Sequence, residues 1–265
     1  MRVKPLFDMR ARARSRDRAY RSGPVLFLHE RAFSDILERL GEVRRSFGTA
    51  LLIGSPDPGW PGRLAAIAAM VKVLDPGAAF AKAVGGQQLI EESIELEPAS
   101  FDLVVAAGTL DTINDLPGAL LRLRFLLKPD SLLIGAVSGG DTLPALRRAM
   151  RAADSVAGSA SPHVHPRIEP AAFAQLLAAA GFLMPVVDVD RVEVAYPGLR
   201  ALASDLRGMG ASNVLAERSR TPLGRAELAA AEAEFSRGAG RTIERFEILH
   251  FAAWSPPAPA QAREA

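Results

Sequence analysis

Short runs of consecutive apolar residues alternate along the chain with segments of helical periodicity. Four of these runs are rich in Val, Ile and Leu and are each followed by turn residues: 49–53 (TALLI), 71–74 (VKVL), 101–107 (FDLVVAA) and 131–137 (SLLIGAV). Continuous rather than alternating hydrophobicity predicts strands covered on both faces, and the helix after each strand supplies the crossover that a parallel sheet requires. The pattern therefore predicts an α/β fold with a doubly wound sheet.

Helical spacing and turn residues define the other elements. Apolar residues favour a helix over 24–40 with Pro24 in its first turn, and a helix in 115–127 that ends at Lys128-Pro129-Asp130. Beyond residue 153 the predicted order is a loop (GSASPHVHP), a helix closed by Gly181, an extended segment 183–196 that breaks near Asp190 or Arg191, helices at 199–209 and 221–235, and a last strand at 245–254.

The amino-acid composition indicates the cellular compartment and excludes several kinds of chemical site. The 265 residues contain no cysteine, so disulfides, thiol nucleophiles and cysteine zinc sites are excluded, in keeping with a reducing cytoplasm. No apolar run approaches the ~20 residues of a membrane helix, and the N-terminus lacks the apolar core of a signal peptide. We therefore expect a cytoplasmic protein with N-terminal helices in 1–45, an α/β domain in 46–254 and a disordered tail in 255–265.

Positive charge is concentrated at the N-terminus. The net charge is +2, but residues 1–23 hold eight Arg and Lys against two Asp, so this segment carries +6 and the remainder −4. A helix here would place Arg10, Arg14, Arg18 and Arg21 on one side by i, i+4 spacing. Two interpretations stay open, a solvated leader helix and a contact with an acidic partner or membrane surface. Tyr20 is the only interleaved aromatic residue, which argues against nucleic acid.

Four histidines provide no convincing metal site. His163 and His165 could join Asp141 or Glu169 in a facial triad of the iron type, but no ligand spacing connects a carboxylate to them. The sequence therefore predicts a plain loop around these two histidines and no metal. The other two, His29 and His250, lie in amphipathic patterns and are predicted to be packed or surface side chains.

The turn at 139–141 (Gly-Gly-Asp) follows the fourth apolar run. It either shapes a substrate entrance or lets Asp141 cap the helix that follows. The chain contains no Gly-x-Ser-x-Gly elbow, P-loop or dinucleotide-binding fingerprint. Serine hydrolase, P-loop and nicotinamide chemistry are therefore unsupported.

The order of motifs resembles that of class I S-adenosylmethionine (SAM)-dependent methyltransferases. The segments that carry this resemblance are, in chain order, LLIG with its loop, an acid at Asp75 after the second strand, SFDLVVA, NDLPGALLRLRFLLKPD and SLLIGAV. One branch of the superfamily contains the mitochondrial complex I assembly factor that hydroxylates an arginine, and the biotin-pathway carrier-protein methyltransferases are similar to it. The chain resembles this branch in GGDTL, SPHVHP, AGFLMPVVDVDRVEVAY, LRALASDLRGMGASNVLAERSR, FEILHFAAWSP and the Arg-rich stretch after Leu6-Phe7-Asp8.

This resemblance covers almost the whole chain and has definite implications. It implies a seven-stranded, mostly parallel, Rossmann-like sheet with an antiparallel last strand, a C-terminal helical insertion, and SAM over the carboxyl ends of the first and fourth strands. It also implies methylation of a protein or carrier-bound substrate, with complex I assembly as the specific role. The sequence names no catalytic residue, and methyl transfer can rest on positioning alone.

The cofactor loop departs from the family pattern. Leu52 stands in place of the acid near the end of the first strand. Pro56 and Pro58 stand at the two glycine positions after Gly54, where each removes a backbone donor and adds bulk. Ile90 replaces the acid expected to contact the adenine amino group. Asp111 and Thr112 stand where relatives often have His-Trp.

The candidate cofactor-binding residues that persist are Gly54, Gly59, Gly108 and Asp75. Asp75 lies about 20 residues beyond Gly54, the spacing at which a carboxylate can accept both ribose hydroxyls. Its alternative role is that of an ordinary turn residue in Asp-Pro-Gly. As a residue at a strand end it is expected to be exposed, so that its replacement by Ala would leave the melting temperature nearly unchanged.

Two functions from different classes stay open. The first is a SAM-dependent methyltransferase-like enzyme with a degenerate cofactor loop. The second is a non-catalytic scaffold that keeps the fold and a partner surface. Fold alone decides neither, because function depends on the site.

Overall fold

Seven strands form one sheet in the computed structural model, which describes residues 4–238 and 240–258. The strands are β1 Phe47–Ile53, β2 Ala68–Asp75, β3 Gln87–Gln88, β4 Phe101–Ala107, β5 Leu127–Ser138, β6 Leu183–Tyr196 and β7 Thr242–Trp254, in the order β3-β2-β1-β4-β5-β7-β6. The pairings from β3 to β5 are parallel, and β7 runs antiparallel between β5 and β6. The predicted mostly parallel, doubly wound sheet is confirmed.

Helices cover both faces of this sheet. They are α1 Met9–Ser22, α2 Phe27–Glu42, α3 Trp60–Leu64, α4 Ala78–Ala83, α5 Leu116–Leu126, α6 Pro144–Ala157, α7 Pro170–Ala179, α8 Leu199–Gly208 and α9 Arg225–Phe235. One apolar core joins the sheet to α5 and α7, and a second joins it to α2 and α3. Burial from both sides is the reason that the central strands are continuous apolar runs.

The predicted break in segment 183–196 is wrong. Pairing with β7 is unbroken from Val186 to Tyr196, and the irregularity lies between Leu183 and Val186, where Pro185 has no N–H to donate. Asp190, near which the break was expected, accepts a hydrogen bond from Arg31 of α2 at 2.6 Å, and Asp188 accepts one from Arg39 of the same helix at 2.5 Å. Ion pairing on one face therefore lets two acids lie within a continuous strand.

Two helix boundaries also differ from the predictions. α2 begins at Phe27 with Leu26 as its N-cap residue, so Pro24 precedes the helix rather than starting it. α5 passes directly into β5, because Leu127 already pairs with Phe101. The register then shifts, and Asp130 has a φ of 53°, so the predicted turn at 128–130 is an irregularity within the strand.

The beginning of the predicted tail is attached to the sheet. Ser255 N–H donates to the carbonyl of Ser131 at 2.8 Å, and Asp130 N–H donates to the carbonyl of Pro256 at 3.0 Å. Residues 259–265, the rest of that predicted tail, lie outside the described residues. Among the described helices, none has both the length and the apolar character required to cross a bilayer.

Candidate functional site

A cavity of about 120 Å³ lies at the carboxyl ends of β4 and β5, bounded by the sheet and by α1, α2 and α8. Its charged and imidazole side chains are those of Arg12, Arg16, His29, Asp111, His165, Arg167 and Glu247. Its apolar wall includes Leu28, Trp60, Val137, Leu143, Met209 and Phe246. Parallel α/β sheets bind ligands at this edge, where the loops diverge.

Asp75 ends β2 beside this edge and is fully buried. Its Oδ1 accepts from Arg16 Nε at 2.8 Å and from Gly77 N at 2.7 Å. Its Oδ2 accepts from Arg16 Nη2 at 2.5 Å and from Ser55 N at 2.9 Å. A carboxylate offers about four acceptor positions, and four donors use them here.

A second buried ion pair lies one helical turn earlier in α1. Arg12 donates from its two terminal nitrogens to the two carboxylate oxygens of Glu91, at 2.7 and 2.8 Å. It also donates to the carbonyl of Thr109 at 2.6 Å and to Thr112 Oγ1 at 3.0 Å. Glu91 directly follows Ile90, so this guanidinium occupies the neighbourhood in which the resemblance places adenine.

Helix α1 has two different faces. The predicted row Arg10, Arg14, Arg18 and Arg21 is exposed to solvent as the i, i+4 spacing indicates. The opposite face, made of Arg12, Ser15, Arg16 and Ala19, is buried against the crevice. The interpretation of α1 as a merely solvated leader is therefore wrong. In the sequence, this buried face is indicated by a second pair of arginines at i, i+4 spacing, Arg12 and Arg16, which alternates with small residues.

The candidate glycines lie in different places around the edge. Gly54 has a φ of +84°, and a Cβ there would come within 2.6 Å of the carbonyl oxygen of Ala107, so the β1 loop crosses close over β4. Gly108 has a φ of +67° and lines the cavity. Gly59 is exposed, away from the cavity lining, and its N–H is held by Asp57 Oδ1 at 2.6 Å. Their role in binding a cofactor stays a prediction.

With α1 in this position, the residues do not fit SAM. Every acceptor position of Asp75 is taken, and Arg16, which pairs with that carboxylate, itself lines the cavity. The open volume of about 120 Å³ is also below the roughly 300–1,000 Å³ of pockets that hold ligands of drug size.

A charged cluster forms the other end of the cavity. Arg167 Nη1 donates to Asp111, while the buried Nε of Arg167 has no partner among the described residues. Burial alone would raise the pKa of Asp111, but Arg167 and then Ser138 hold it below its ordinary value. Burial, followed by the charge of Arg167, lowers the pKa of His165 to about 4. The site thus combines a carboxylate, a partly free guanidinium and a neutral imidazole.

The two histidines of the HVH segment do not converge. His165 Nε2 accepts the N–H of Val214 at 3.0 Å, which places the proton of the neutral ring on Nδ1. His163 Nε2 lies 2.8 Å from Asp154 Oδ1, outside the cavity. No cluster of metal-ligating side chains occurs in residues 4–238 and 240–258.

The remaining candidates from the sequence, His29, His250 and Asp141, lie in three different environments. His29 is half-buried beside Gly108, and burial followed by the charge of Arg16 lowers its pKa to about 4. His250 is buried against Asp35 of α2. Asp141 does not cap α6, because it accepts a hydrogen bond from Arg245 at 2.5 Å. The buried Glu244 instead accepts the first N–H groups of α6, at 3.0 and 2.8 Å.

No family model matches the chain. The arginine-hydroxylase NDUFAF5 of Danio rerio is 38% identical over 170 residues, which are 63% of this chain and 53% of that protein. The malonyl-[acyl-carrier protein] O-methyltransferase of Xylella fastidiosa is 34% identical over 175 residues, 65% of this chain and 58% of that protein. The chain therefore aligns with only a little over half the length of these relatives.

Solved structures agree on the fold. The YcgJ protein of Bacillus subtilis aligns with a TM-score of 0.60 and 9% identity, covering 86% of this chain and all (100%) of that one. The SAM-bound phosphoethanolamine N-methyltransferase 2 of Haemonchus contortus aligns with a TM-score of 0.52 and 16% identity, covering 84% of this chain and 52% of that one.

The chain has the class I SAM-dependent methyltransferase fold and is a homologue of the NDUFAF5 arginine-hydroxylases and malonyl-carrier O-methyltransferases. In this chain Asp75, the acid that the resemblance places at the ribose, accepts hydrogen bonds from Arg16 of helix α1. Neither Arg16 nor Arg12, which pairs with Glu91, was among the candidate site residues predicted from the sequence.

Proposed function

We propose that this chain is a SAM-methyltransferase-like assembly factor of respiratory complex I that modifies a protein or carrier-bound substrate in the cytoplasm. One observation carries the proposal: the 38% identity over 63% of the chain to a protein named arginine-hydroxylase NDUFAF5. The names of the relatives include both hydroxylation and methyl transfer. Reaction class is therefore the part of the proposal that experiment has to decide.

The test combines a genetic and a chemical readout. Removal of the gene from its source cell should lower the amount of assembled NADH:quinone oxidoreductase, measured on native gels and by NADH oxidation. Mass spectrometry of the complex I subunits should show the loss of a methyl (+14 Da) or hydroxyl (+16 Da) group at one site, as follows from the added CH₂ or O. Unchanged complex I in the deletion strain contradicts the proposal.

The non-catalytic scaffold is retained as a second candidate because the four acceptor positions of Asp75 are filled by protein donors. A scaffold would bind its partner without SAM, and the exposed arginine face of α1 offers a contact for an acidic partner or membrane surface. Loss of complex I in the deletion strain, with every subunit mass unchanged, would favour this candidate. Charge reversal at Arg14 and Arg18 should then weaken co-purification of complex I subunits.

A further inference from the structure

The buried face of α1 is unusual for a packed helix because it is largely ionic. Its buried residues are Arg12, Ser15, Arg16 and Ala19, and the two arginines form bidentate pairs with carboxylates of the sheet edge. Buried ion pairs contribute little net stability, because desolvation of both charges offsets their attraction. Departure of α1 would return these charges to water, and it would also uncover apolar side chains such as Phe80, on which Tyr20 and Arg16 pack.

The positions of these pairs match the positions of a nucleoside. Asp75 is the acid at which the resemblance places the ribose, and Glu91 follows the position at which it places adenine. The guanidinium of Arg16 therefore takes, from inside the chain, the carboxylate that a ribose would approach, and the guanidinium of Arg12 lies next to the position of adenine. A planar guanidinium matches a carboxylate through two parallel hydrogen bonds, which explains why arginine rather than lysine occupies both places.

We propose that the part of this crevice in which the resemblance places SAM is occupied by two guanidinium groups of the chain's own helix α1. SAM then binds only when Arg16 and Arg12 leave it. This inference rests on the proposed function, because it concerns how a SAM-binding fold is closed and opened. Arg16 is then the residue that sets the affinity for SAM, although it belongs to none of the family's cofactor motifs.

The first test compares two arginines of the same helix. Arg16→Ala removes the occupant of Asp75, whereas Arg14→Ala removes an exposed charge two residues away. Calorimetric titration with S-adenosylhomocysteine (SAH) should show at least about tenfold tighter binding by Arg16→Ala than by wild type, with Arg14→Ala equal to wild type. Micromolar binding that is equal in all three proteins overturns the inference and leaves the proposed function standing. Absence of binding in all three at about 1 mM also overturns the inference, and removes SAM from the proposed function.

A second test does not depend on the folding of Arg16→Ala. The chain has no cysteine, and a Cβ built at Gly210 lies 3.7 Å from the Cβ of Ala19, a separation that suits a disulfide. In an Ala19→Cys/Gly210→Cys protein the oxidised form should lock α1 and bind SAH at least about tenfold more weakly than the reduced form of the same protein. Because Gly210 has a φ of +71°, a side chain is strained there in both forms alike. Equal affinity of the two forms overturns the inference.

Discussion

Asp75 connects three segments of the chain through one buried carboxylate. It bonds Arg16 of α1, Ser55 of the loop after β1 and Gly77 at the start of α4. The sequence alone suggested an exposed residue at a strand end, because acids next to Pro-Gly are ordinary turn formers. That expectation is wrong, since the arginine that buries Asp75 is 59 residues away along the chain.

The cost of removing this charge should be large. Asp75→Asn keeps one acceptor oxygen but leaves the Arg16 guanidinium buried without a counter-charge, which costs about 3–5 kcal/mol. Urea unfolding should show this loss, and Arg16→Met/Asp75→Asn should recover most of it. Glu217→Gln, which breaks the exposed pair with Lys4, should change the free energy of unfolding by less than about 1 kcal/mol. A small effect of Asp75→Asn would mean that α1 leaves the crevice readily in solution.

His165 should make the stability depend on pH. Its pKa in the folded protein is about 4, below that of an unfolded histidine near 6.5, so the unfolded chain binds the extra proton more readily. The contribution is therefore fully present above about pH 6.5 and is lost progressively as the pH falls toward about 4. We expect wild type to lose roughly 2 kcal/mol more than His165→Gln between about pH 7.5 and pH 5. Parallel curves for the two proteins would show that the imidazole protonates without cost.

At the scale of elements, the contact between α1 and α4 is close enough to test by adding a single methyl group. A Cβ at Gly77 would lie 2.8 Å from the Cβ of Arg16, so Gly77→Ala should push α1 outward and cost about 1–3 kcal/mol. Trypsin should then cut within α1 faster than in wild type. Gly41→Ala is the matched control, because it lies in α2 with open space around its Cβ, and it should be neutral or slightly stabilising. Equal trypsin rates for both variants would contradict tight packing of α1.

The sequence predicted the elements of the sheet better than it predicted the site. Consecutive apolar residues such as those of β1 and β4 depend on local burial, so the pattern was sufficient to place them. The pairs Arg16–Asp75 and Arg12–Glu91 join residues 59 and 79 positions apart, and no local periodicity specifies such partners. The helical spacing of Arg12 and Arg16 was visible, but their burial depended on acids located elsewhere in the fold.

At the scale of the whole molecule, the loop after β1 and helix α1 together close over the buried carboxylate of Asp75. Ser55 N and Arg16 Nη2 both donate to Asp75 Oδ2, at 2.9 and 2.5 Å, so the loop and the helix share one acceptor. Leu52 is not part of this closure, because it is fully buried in the apolar core that also holds Phe33 and Trp60. Restoring the family's acid at Leu52 would therefore place a charge in the core, and only the prolines are suitable for a test.

Coupling between loop and helix can be measured with a double-mutant cycle. Pro56→Gly/Pro58→Gly should lower the free energy of unfolding by about 1–2 kcal/mol, since two restraints on the unfolded chain are lost. It should leave SAH affinity unchanged while Arg16 still occupies Asp75. In the Arg16→Ala background the same two substitutions should tighten SAH binding, because the freed carboxylate and a loop with restored N–H donors then face one ligand. A coupling above about 0.5 kcal/mol in the binding cycle is expected for groups that share a partner. Strictly additive effects would show that loop and helix act on SAH separately, and that Asp75 does not link them.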